Sequence, residues 1–342
     1  FRLPDMLKLF ERRRQGKAAV PGSTASESLL NPATRVTLPD LIELQRHARL
    51  LDITQRLPAR AQLAGNHHSR FRGRGMDYLE SRGYQPGDDI RNMDWRVTAR
   101  AGRPHTKLFQ EERERPVVLL IDLGPSMFFA TQGALKSVIA ARSAALLAWA
   151  AAANGDRTGA LLFNGGHVEM RPRSGHRGVL QLVHELIRLA DPLHGLASAP
   201  ESTGLNDALV RLRRIARPGS LIIMVSDYYG IDDETGGHLA KLRAHNDLLA
   251  VRVTDPVENA PPPPGRYEIT NGKQSAILDI EAARRRTAYH DFFSRQREMV
   301  RETLQRNAIP LLQLSTTDEP VIALQQWFGK GRQQAVAGGA AR

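Results

Sequence analysis

Apolar residues follow two regular patterns from Pro116 onward, and the two patterns alternate along the chain. Continuous apolar runs, Val117–Ile121 and Leu221–Val225, are typical of strands that are buried on both faces of a sheet. Amphipathic repeats with helical spacing lie between these runs, at Gly178–Leu189 and Leu205–Ile215. Strands that alternate with helices of this length predict an α/β fold with a doubly wound, mostly parallel sheet.

The other elements that the pattern predicts continue this alternation as far as Phe328. Helices are predicted at Ala134–Ala153, Glu234–His245, Ala282–Asn307 and Glu319–Phe328. Strands are predicted at Gly159–Phe163, Val168–Met170, Leu248–Val253, Ala276–Ile280 and Pro310–Leu314. The first two of these strands are joined at Asn164-Gly165-Gly166, which favours a hairpin turn.

Changes in composition divide the chain into four segments. Residues 1–37 are polar and irregular and are expected to form a flexible N-terminal arm, and residues 329–342 are expected to be disordered. Residues 116–328 are the predicted α/β domain. Residues 38–115 form an extension that opens with a helical repeat, Leu41, Leu44 and Ala48, and continues through a loop rich in Gly and Arg at Gly65–Gly75.

The absence of cysteine from all 342 residues excludes disulfides, zinc ribbons, iron–sulfur clusters and thiol nucleophiles. It also permits a reducing compartment. The most apolar segment, Leu135–Ala153, contains Lys136 and Arg142, so its uncharged part is shorter than the roughly 20 residues that span a membrane. The first ten residues lack the continuous apolar stretch of an export signal. We therefore expect a cytoplasmic protein without a membrane span.

Net positive charge determines which partners the chain suits. The formal charge is +12 at pH 7 and the pI is about 10.5, and most of the surplus is arginine that lies before Pro116. Arginine binds carboxylates and phosphates alike. An acidic protein surface and a nucleic acid therefore both stay open as partners, beside a solvated surface with no partner.

Carboxylate and hydroxyl residues stand at the ends of the predicted central strands. Asp122 and Ser126 follow the first buried strand, Asp227 follows the second, and Thr203 lies in a loop between them. Because ligands of such sheets bind beyond the carboxyl ends of the central strands, we expect these four residues to converge. This all-oxygen set suits Mg²⁺, with Mn²⁺ or Ca²⁺ as substitutes. Each residue alone also fits the role of a helix cap or turn former.

The order of these residues resembles the metal-ion-dependent adhesion site of von Willebrand factor A domains. In that family the first strand ends in Asp-x-Ser-x-Ser, a later loop supplies Thr, and a later strand ends in Asp. Here the first motif is Asp122-Leu123-Gly124-Pro125-Ser126, so Gly124 replaces the first serine and removes one hydroxyl ligand. The resemblance implies a metal-bridged docking site for a carboxylate of a partner, weakened at Gly124.

A second motif precedes the predicted α/β domain. It consists of Arg82, Tyr84, Pro86, Gly87, Asp88, Asp89, Arg91, Asp94, Trp95 and Arg96. Pro86-Gly87 is typical of a type II turn, the interleaved charges suit local ion pairs, and Trp95 offers a large apolar anchor. A purely structural role, in which these charges hold a loop in place, stays open beside partner binding.

With Arg100 and Lys107–Phe109, this motif resembles the domain-of-unknown-function-58 family. The resemblance covers roughly Leu38 to Phe328. It implies a von Willebrand factor A-like domain and an adaptor or chaperone-like role beside a MoxR-type AAA+ ATPase.

We therefore expect a non-catalytic, metal-assisted protein-interaction module with no catalytic residues. One alternative is nucleic-acid binding by the arginine-rich loop around Arg70, Arg72 and Arg74. Another is a metal-dependent hydrolase that uses Asp122 and Asp227 with a histidine as general base. The candidate histidines are His167, His176 and His194. The sequence has no phosphate-binding Gly-Lys loop, Gly-x-Ser-x-Gly motif or His-Glu-x-x-His motif.

Overall fold

The computed structural model describes residues 10–11, 31–53, 76–85, 88–111, 115–195, 204–270 and 275–329. These residues divide into two units, with breaks at residues 57/58 and 114/115. We call the described residues between 58 and 114 the hairpin unit, and the other described residues the α/β unit.

Strands and helices are numbered in chain order. The described strands are β1 (Phe10–Glu11), β2 (Met76–Gly83), β3 (His105–Glu111), β4 (Pro116–Asp122), β5 (Arg157–Asn164), β6 (Gly166–Arg173), β7 (Leu221–Ser226), β8 (Asp247–Thr254), β9 (Arg266–Thr270), β10 (Ser275–Asp279) and β11 (Leu311–Ser315). The described helices are α1 (Leu38–Ala48), α2 (Trp95–Ala101), α3 (Lys136–Ala153), α4 (His176–Ala190), α5 (Pro192–Gly195), α6 (Leu205–Ile215), α7 (Asp233–Arg243), α8 (Pro256–Asn259), α9 (Ala283–Arg306) and α10 (Pro320–Phe328).

Six of the described strands form one sheet in the order β11-β8-β7-β4-β5-β6. Neighbouring strands are parallel except β5 and β6, which pair antiparallel. From β4 the chain continues to β5 on one side, whereas β7 pairs with the other side of β4, so the strand order reverses between β4 and β7. Ligands of open α/β sheets bind beyond the carboxyl ends of the strands at such a point. The prediction of a doubly wound, mostly parallel sheet is confirmed.

Two apolar cores cover the two faces of this sheet. Alternate residues of β4 point to opposite faces, as the pleat requires. Val117, Leu119 and Ile121 pack in the core with α1, α3, α4 and α10. Val118 and Leu120 pack in the core with α6, α7 and α9. Since both faces are covered, the central strands are apolar along their length instead of alternating, which is why their sequences were recognisable.

The helix α3 is apolar on all sides because it lies inside the first of these cores. By length and composition it is the one helix among the described residues that qualifies as a membrane span, and 83% of it is buried within the protein. Its many alanines allow close packing against β4, β5, α1 and α4. A helix that is surrounded by protein has the same composition as one surrounded by lipid.

The helix α1 belongs to the α/β unit. Thr37 caps its first turn in a reciprocal pair with Asp40, and Leu41 is fully buried. The Trp149 indole of α3 donates a hydrogen bond of 2.9 Å to the Leu41 carbonyl. By composition this helix was grouped with residues 38–115, whereas its apolar face completes the core around α3.

The predicted elements of the α/β unit agree with the structure to within about three residues at each end. The strands β1, β2, β3 and β9 and the helices α2, α5 and α8 were not predicted. The two short helices α5 and α8 have four residues each, which is too few to show a helical period. β2 carries charged residues within its length and lacks a clear alternation.

Candidate functional site

The strand-end residues Asp122 and Asp227 lie at the reversal of strand order, as the sequence predicted. Ile121 of β4 pairs with Val225 of β7, so Asp122 stands opposite Ser226 and Asp227 comes one residue later. The Ser226 hydroxyl donates a hydrogen bond of 2.6 Å to Oδ2 of Asp122. Both carboxylates are buried. The two strands therefore bring both acids to one edge of the sheet.

Both oxygens of Asp122 accept hydrogen bonds from nearby groups of the chain. Oδ2 accepts the Ser226 hydroxyl, and Oδ1 accepts the Gly124 backbone N–H at 2.9 Å. Burial, followed by the negative charge of Asp227, raises the pKa of Asp122 to about 7. Asp122 is thus a carboxyl group that changes charge near neutral pH.

Asp227 faces a positive charge that the sequence analysis did not place. Its Oδ2 lies 2.9 Å from Nζ of Lys136, and its Oδ1 accepts the Tyr229 backbone N–H at 3.0 Å. The Ser126 hydroxyl also hydrogen-bonds to this carboxylate. Burial opposes ionisation, but the Lys136 charge and hydrogen bond hold the pKa of Asp227 below its usual range. Asp227 is therefore an ionised partner of a buried ammonium.

Lys136 is the first residue of α3, and its side chain is only 2% exposed. Nζ also lies 2.7 Å from Oε1 of Glu258, in the short helix that follows β8. Burial alone would lower the pKa of Lys136, but the charges of Asp227 and Glu258 raise it above its ordinary value. In the sequence this lysine counted only as an interruption of an apolar run. A lysine at the start of an otherwise apolar core helix is the signal that was available.

The turn that carries Asp227 is tightly held. Tyr228 is fully buried in the left-handed region at φ 57°, which is costly for a residue with a large side chain. Its hydroxyl donates to the Met224 carbonyl at 2.9 Å, and Nε2 of Gln296 donates to the Tyr228 carbonyl at 2.9 Å. Strained backbone that its surroundings hold so firmly is typical of functional sites.

The described residues fit a divalent metal poorly. All four carboxylate oxygens of Asp122 and Asp227 accept hydrogen bonds within the chain, one of them from an ammonium. The described part of the chain holds no group of three or more His, Asp or Glu side chains arranged for a metal ion. Thr203, the fourth expected ligand, lies outside the described residues. Asp122, Ser126 and Asp227 do converge, and Lys136 pairs with Asp227 at that place.

The hairpin unit uses the acidic residues of the second motif to hold its own backbone. Asp88 forms an ion pair of 2.8 Å with Arg82, and its other oxygen accepts the Gln85 N–H. Asp89 accepts the Arg91 N–H at 2.9 Å. Asp94 is the N-cap of α2, where it accepts two backbone N–H groups, and the Ser81 hydroxyl donates to it at 2.7 Å. Pro86 and Gly87 lie outside the described residues.

The same unit leaves large apolar side chains in solvent. Trp95 is 67% exposed and Ile90 is 63% exposed, on either side of the Asp94 cap. Arg91 and Arg96 are exposed as well, and neither forms an ion pair with any other described residue. Tyr84 is half-buried, and its N–H donates to the Pro104 carbonyl. We call Ile90, Arg91, Trp95 and Arg96 the Trp95 surface.

The histidines of the hydrolase alternative have other partners. His167 lies 2.9 Å from Nη1 of Arg211, and the ring of His176 packs against Trp149. His194 is exposed in α5. Among the described residues, no histidine hydrogen-bonds to either strand-end acid. Arg70, Arg72 and Arg74 of the nucleic-acid alternative lie outside the described residues.

Comparisons with known proteins agree with the second motif. Residues 80–299, more than half of the 342-residue chain, match the model of a family described as a protein of unknown function, DUF58. An uncharacterized protein of Mycobacterium bovis, Mb1516, is 29% identical over 299 residues, which cover 85% of this chain and 90% of that protein.

Two solved structures show remote similarity. The conserved hypothetical protein BatB from Bacteroides thetaiotaomicron is 13% identical with a TM-score of 0.41, over 62% of this chain and 96% of that one. A von Willebrand factor type A protein from Catenulispora acidiphila is 14% identical with a TM-score of 0.30, over 44% of this chain and 34% of that one.

Proposed function

The chain belongs to the DUF58 family, and we propose that it is a non-catalytic protein-interaction module that binds a MoxR-type AAA+ ATPase. In this proposal the α/β unit is a von Willebrand factor A-like scaffold, and the partner binds chiefly to the Trp95 surface. The proposal includes a cytoplasmic location, which the cysteine-free sequence permits.

The observation that carries the proposal is the exposure of Trp95 and Ile90 beside two arginines that form no ion pair with any other residue the structure describes. Single exposed apolar residues are common on protein surfaces, but tryptophan and arginine are the residues most enriched at binding hot spots. The acidic residues of this segment are already used for caps and an ion pair, so the segment presents apolar and positive groups outward.

The chemistry of this surface indicates the character of the partner. Arginine forks bind carboxylates in a planar, two-pronged geometry, and tryptophan inserts into apolar pockets. The net charge of +12 favours encounter with an acidic surface. An apolar pocket rimmed by Asp and Glu on the ATPase is the complement that we expect.

Support for a non-catalytic role comes from the strand-end acids. A hydrolytic carboxylate needs access to a substrate or an activated water. Asp122 and Asp227 are instead buried and hydrogen-bonded to groups of the chain itself. The Mg²⁺ expected at this site stays a prediction, and the contacts of Lys136 weigh against it.

Affinity capture from cytosol tests the identity of the partner. We expect a tagged wild-type chain to recover an AAA+ ATPase when ATP is present. Arg96→Glu places a negative charge on the Trp95 surface and is expected to lower that recovery about tenfold or more. Arg213→Glu, the same change at an exposed position of α6, is the matched control and should retain recovery.

Two results would contradict the proposal. If wild-type captures contain no AAA+ ATPase, the proposed partner is wrong. If Arg96→Glu recovers as much ATPase as the wild type, the Trp95 surface is not the binding site.

A further inference from the structure

We infer that the Lys136 ammonium is the resident cation of the strand-end site, in the place where a von Willebrand factor A domain would hold a metal ion. The site is therefore closed to Mg²⁺ as long as Lys136 is present. The inference concerns the α/β unit alone. It meets the proposed function at one point, since it implies that partner binding needs no metal at this site.

The geometry of the ion pairs places the Lys136 ammonium between two carboxylates. Nζ of Lys136 lies 2.9 Å from Asp227 and 2.7 Å from Glu258, and the side chain of Asp227 is 3% exposed. One ammonium thus serves two carboxylates that β7 and the segment after β8 bring together. A buried charge is stable only when it is paired and hydrogen-bonded in this way.

A metal ion would add further positive charge to a site that already holds cationic side chains. Arg252 of β8 is also buried, and its guanidinium interacts electrostatically with Asp227 and Glu258. Two cationic side chains therefore already face the carboxylates of this site. A divalent ion that bound Asp227 would stand next to the ammonium, or would have to expel it, and both are unfavourable at low dielectric.

The Lys136 ammonium is attached to the site by the chain itself. Lys136 begins α3, its backbone N–H donates to the Phe129 carbonyl at 3.1 Å, and its Nζ lies 6.0 Å from the centre of the Phe129 ring. The helix itself is fixed in the core. An ammonium supplied by the chain is present at a far higher effective concentration than a free ion.

Gly124 lacks the hydroxyl that a serine would offer to a metal ion at this position. A Cβ at Gly124 would lie 3.0 Å from Oδ1 of Asp122, which is closer than side-chain carbons normally approach a neighbour. A serine at this position therefore requires the Asp122 carboxylate to shift by a few tenths of an ångström. Gly124 removes a metal ligand, and Lys136 supplies a cation in the same site. The loss of the ligand is thus accounted for, because the ammonium takes the place of the metal ion.

Manganese uptake by the purified full chain tests the inference. Mn²⁺ is the probe because the electron paramagnetic resonance signal of the free ion falls when the ion binds. We expect the wild type to leave the free-ion signal unchanged at millimolar Mn²⁺. Lys136→Met removes the charge at nearly constant volume, and it is expected to lower Tm by about 10 °C and to bind Mn²⁺ with partial recovery of Tm. Lys241→Met, at an exposed lysine of α7, should do neither.

Stoichiometric Mn²⁺ binding by the wild type would overturn the inference. A folded Lys136→Met that binds no ion would overturn it too, because the ammonium would then not be what excludes the metal. The Mn²⁺ measurements use no partner protein. Their outcome is therefore independent of the proposed interaction, and either claim can fail while the other stands.

Amine acetylation of the wild type keeps the test decisive if Lys136→Met does not fold. We expect mass spectrometry to find Lys136 unlabelled and Lys241 labelled, with no difference when Mg²⁺ is added, because Lys136 is buried and already paired. A Mg²⁺-dependent rise in Lys136 labelling would show that the metal displaces the ammonium, and the inference would be wrong.

Discussion

Asp122 is a buried carboxyl group whose protonation state affects the free energy of unfolding. It lies between Ser226 and Gly124 and close to the ionised Asp227, and burial with that neighbouring charge raises its pKa to about 7. In the unfolded chain an Asp has a pKa of about 3.9. Folding therefore favours the protonated form of Asp122.

The sign of the pH effect follows from this difference. Because the folded pKa lies above the unfolded one, the unfolding free energy falls as pH rises from about 4 to about 7, and then levels off. Between about pH 6 and about pH 8 the loss is on the order of 1 kcal/mol. We expect Asp122→Asn to remove this part of the pH dependence, as measured by urea unfolding at both pH values.

The control for this measurement is Asp207→Asn, at an exposed carboxylate in α6. It should leave the difference between the two pH values as it is in the wild type. An Asp122→Asn protein with an unchanged difference would mean that Asp122 is ionised throughout.

At the scale of elements, helix α1 is held to the α/β unit by apolar burial and one hydrogen bond. Leu41 is fully buried in the core, and the Trp149 indole donates a hydrogen bond to its carbonyl. We expect Leu41→Ala to lower the unfolding free energy by about 2–5 kcal/mol, because the cavity is only partly refilled. Ile42→Ala, at the neighbouring and 38% exposed position, is expected to cost about 0.5 kcal/mol or less.

Urea unfolding of both variants checks this prediction. Equal and small effects would mean that α1 contributes nothing to the core and is an appendage.

The elements of the α/β unit were largely predictable because the sheet is covered on both faces. In runs such as Leu221–Val225 and helices such as Ala282–Asn307, the spacing of the apolar residues shows which positions are buried. The convergence of Asp122 and Asp227 was predictable too, since strand ends share an edge. The role of Lys136 was not, because its partners lie 91 and 122 residues away along the chain. No local pattern encodes a contact of that kind.

The hairpin unit shows the same limit in another form. The sequence suggested that Asp88, Asp89 and Asp94 pair with Arg91 and Arg96. In the structure, Asp89 and Asp94 instead accept hydrogen bonds from backbone N–H groups. Such capping bonds satisfy N–H groups that have no partner within a helix, so these carboxylates stabilise the fold without an arginine partner. Arg91 and Arg96 are therefore exposed to solvent. The positive charge on the surface of this unit thus results from the acidic residues being used to bind backbone N–H groups.

At the scale of the whole molecule, the net positive charge and the exposed Trp95 have different roles in binding a partner. The charge of +12 steers an acidic surface toward it and is screened by salt, whereas apolar insertion of Trp95 is not. Long-range attraction and short-range anchoring thus have different dependences on ionic strength.

Titration of the purified MoxR-type ATPase into the fluorescently labelled chain, followed by fluorescence anisotropy, tests whether Trp95 anchors the partner. At about 50 mM and about 300 mM salt we expect Trp95→Ala to raise Kd about tenfold or more, while Ile322→Ala, at a 57% exposed residue of α10, leaves Kd unchanged. Wild-type Kd itself should rise with salt. Equal affinities for wild type and Trp95→Ala at both salt concentrations would contradict the account, because the exposed tryptophan would then serve no partner.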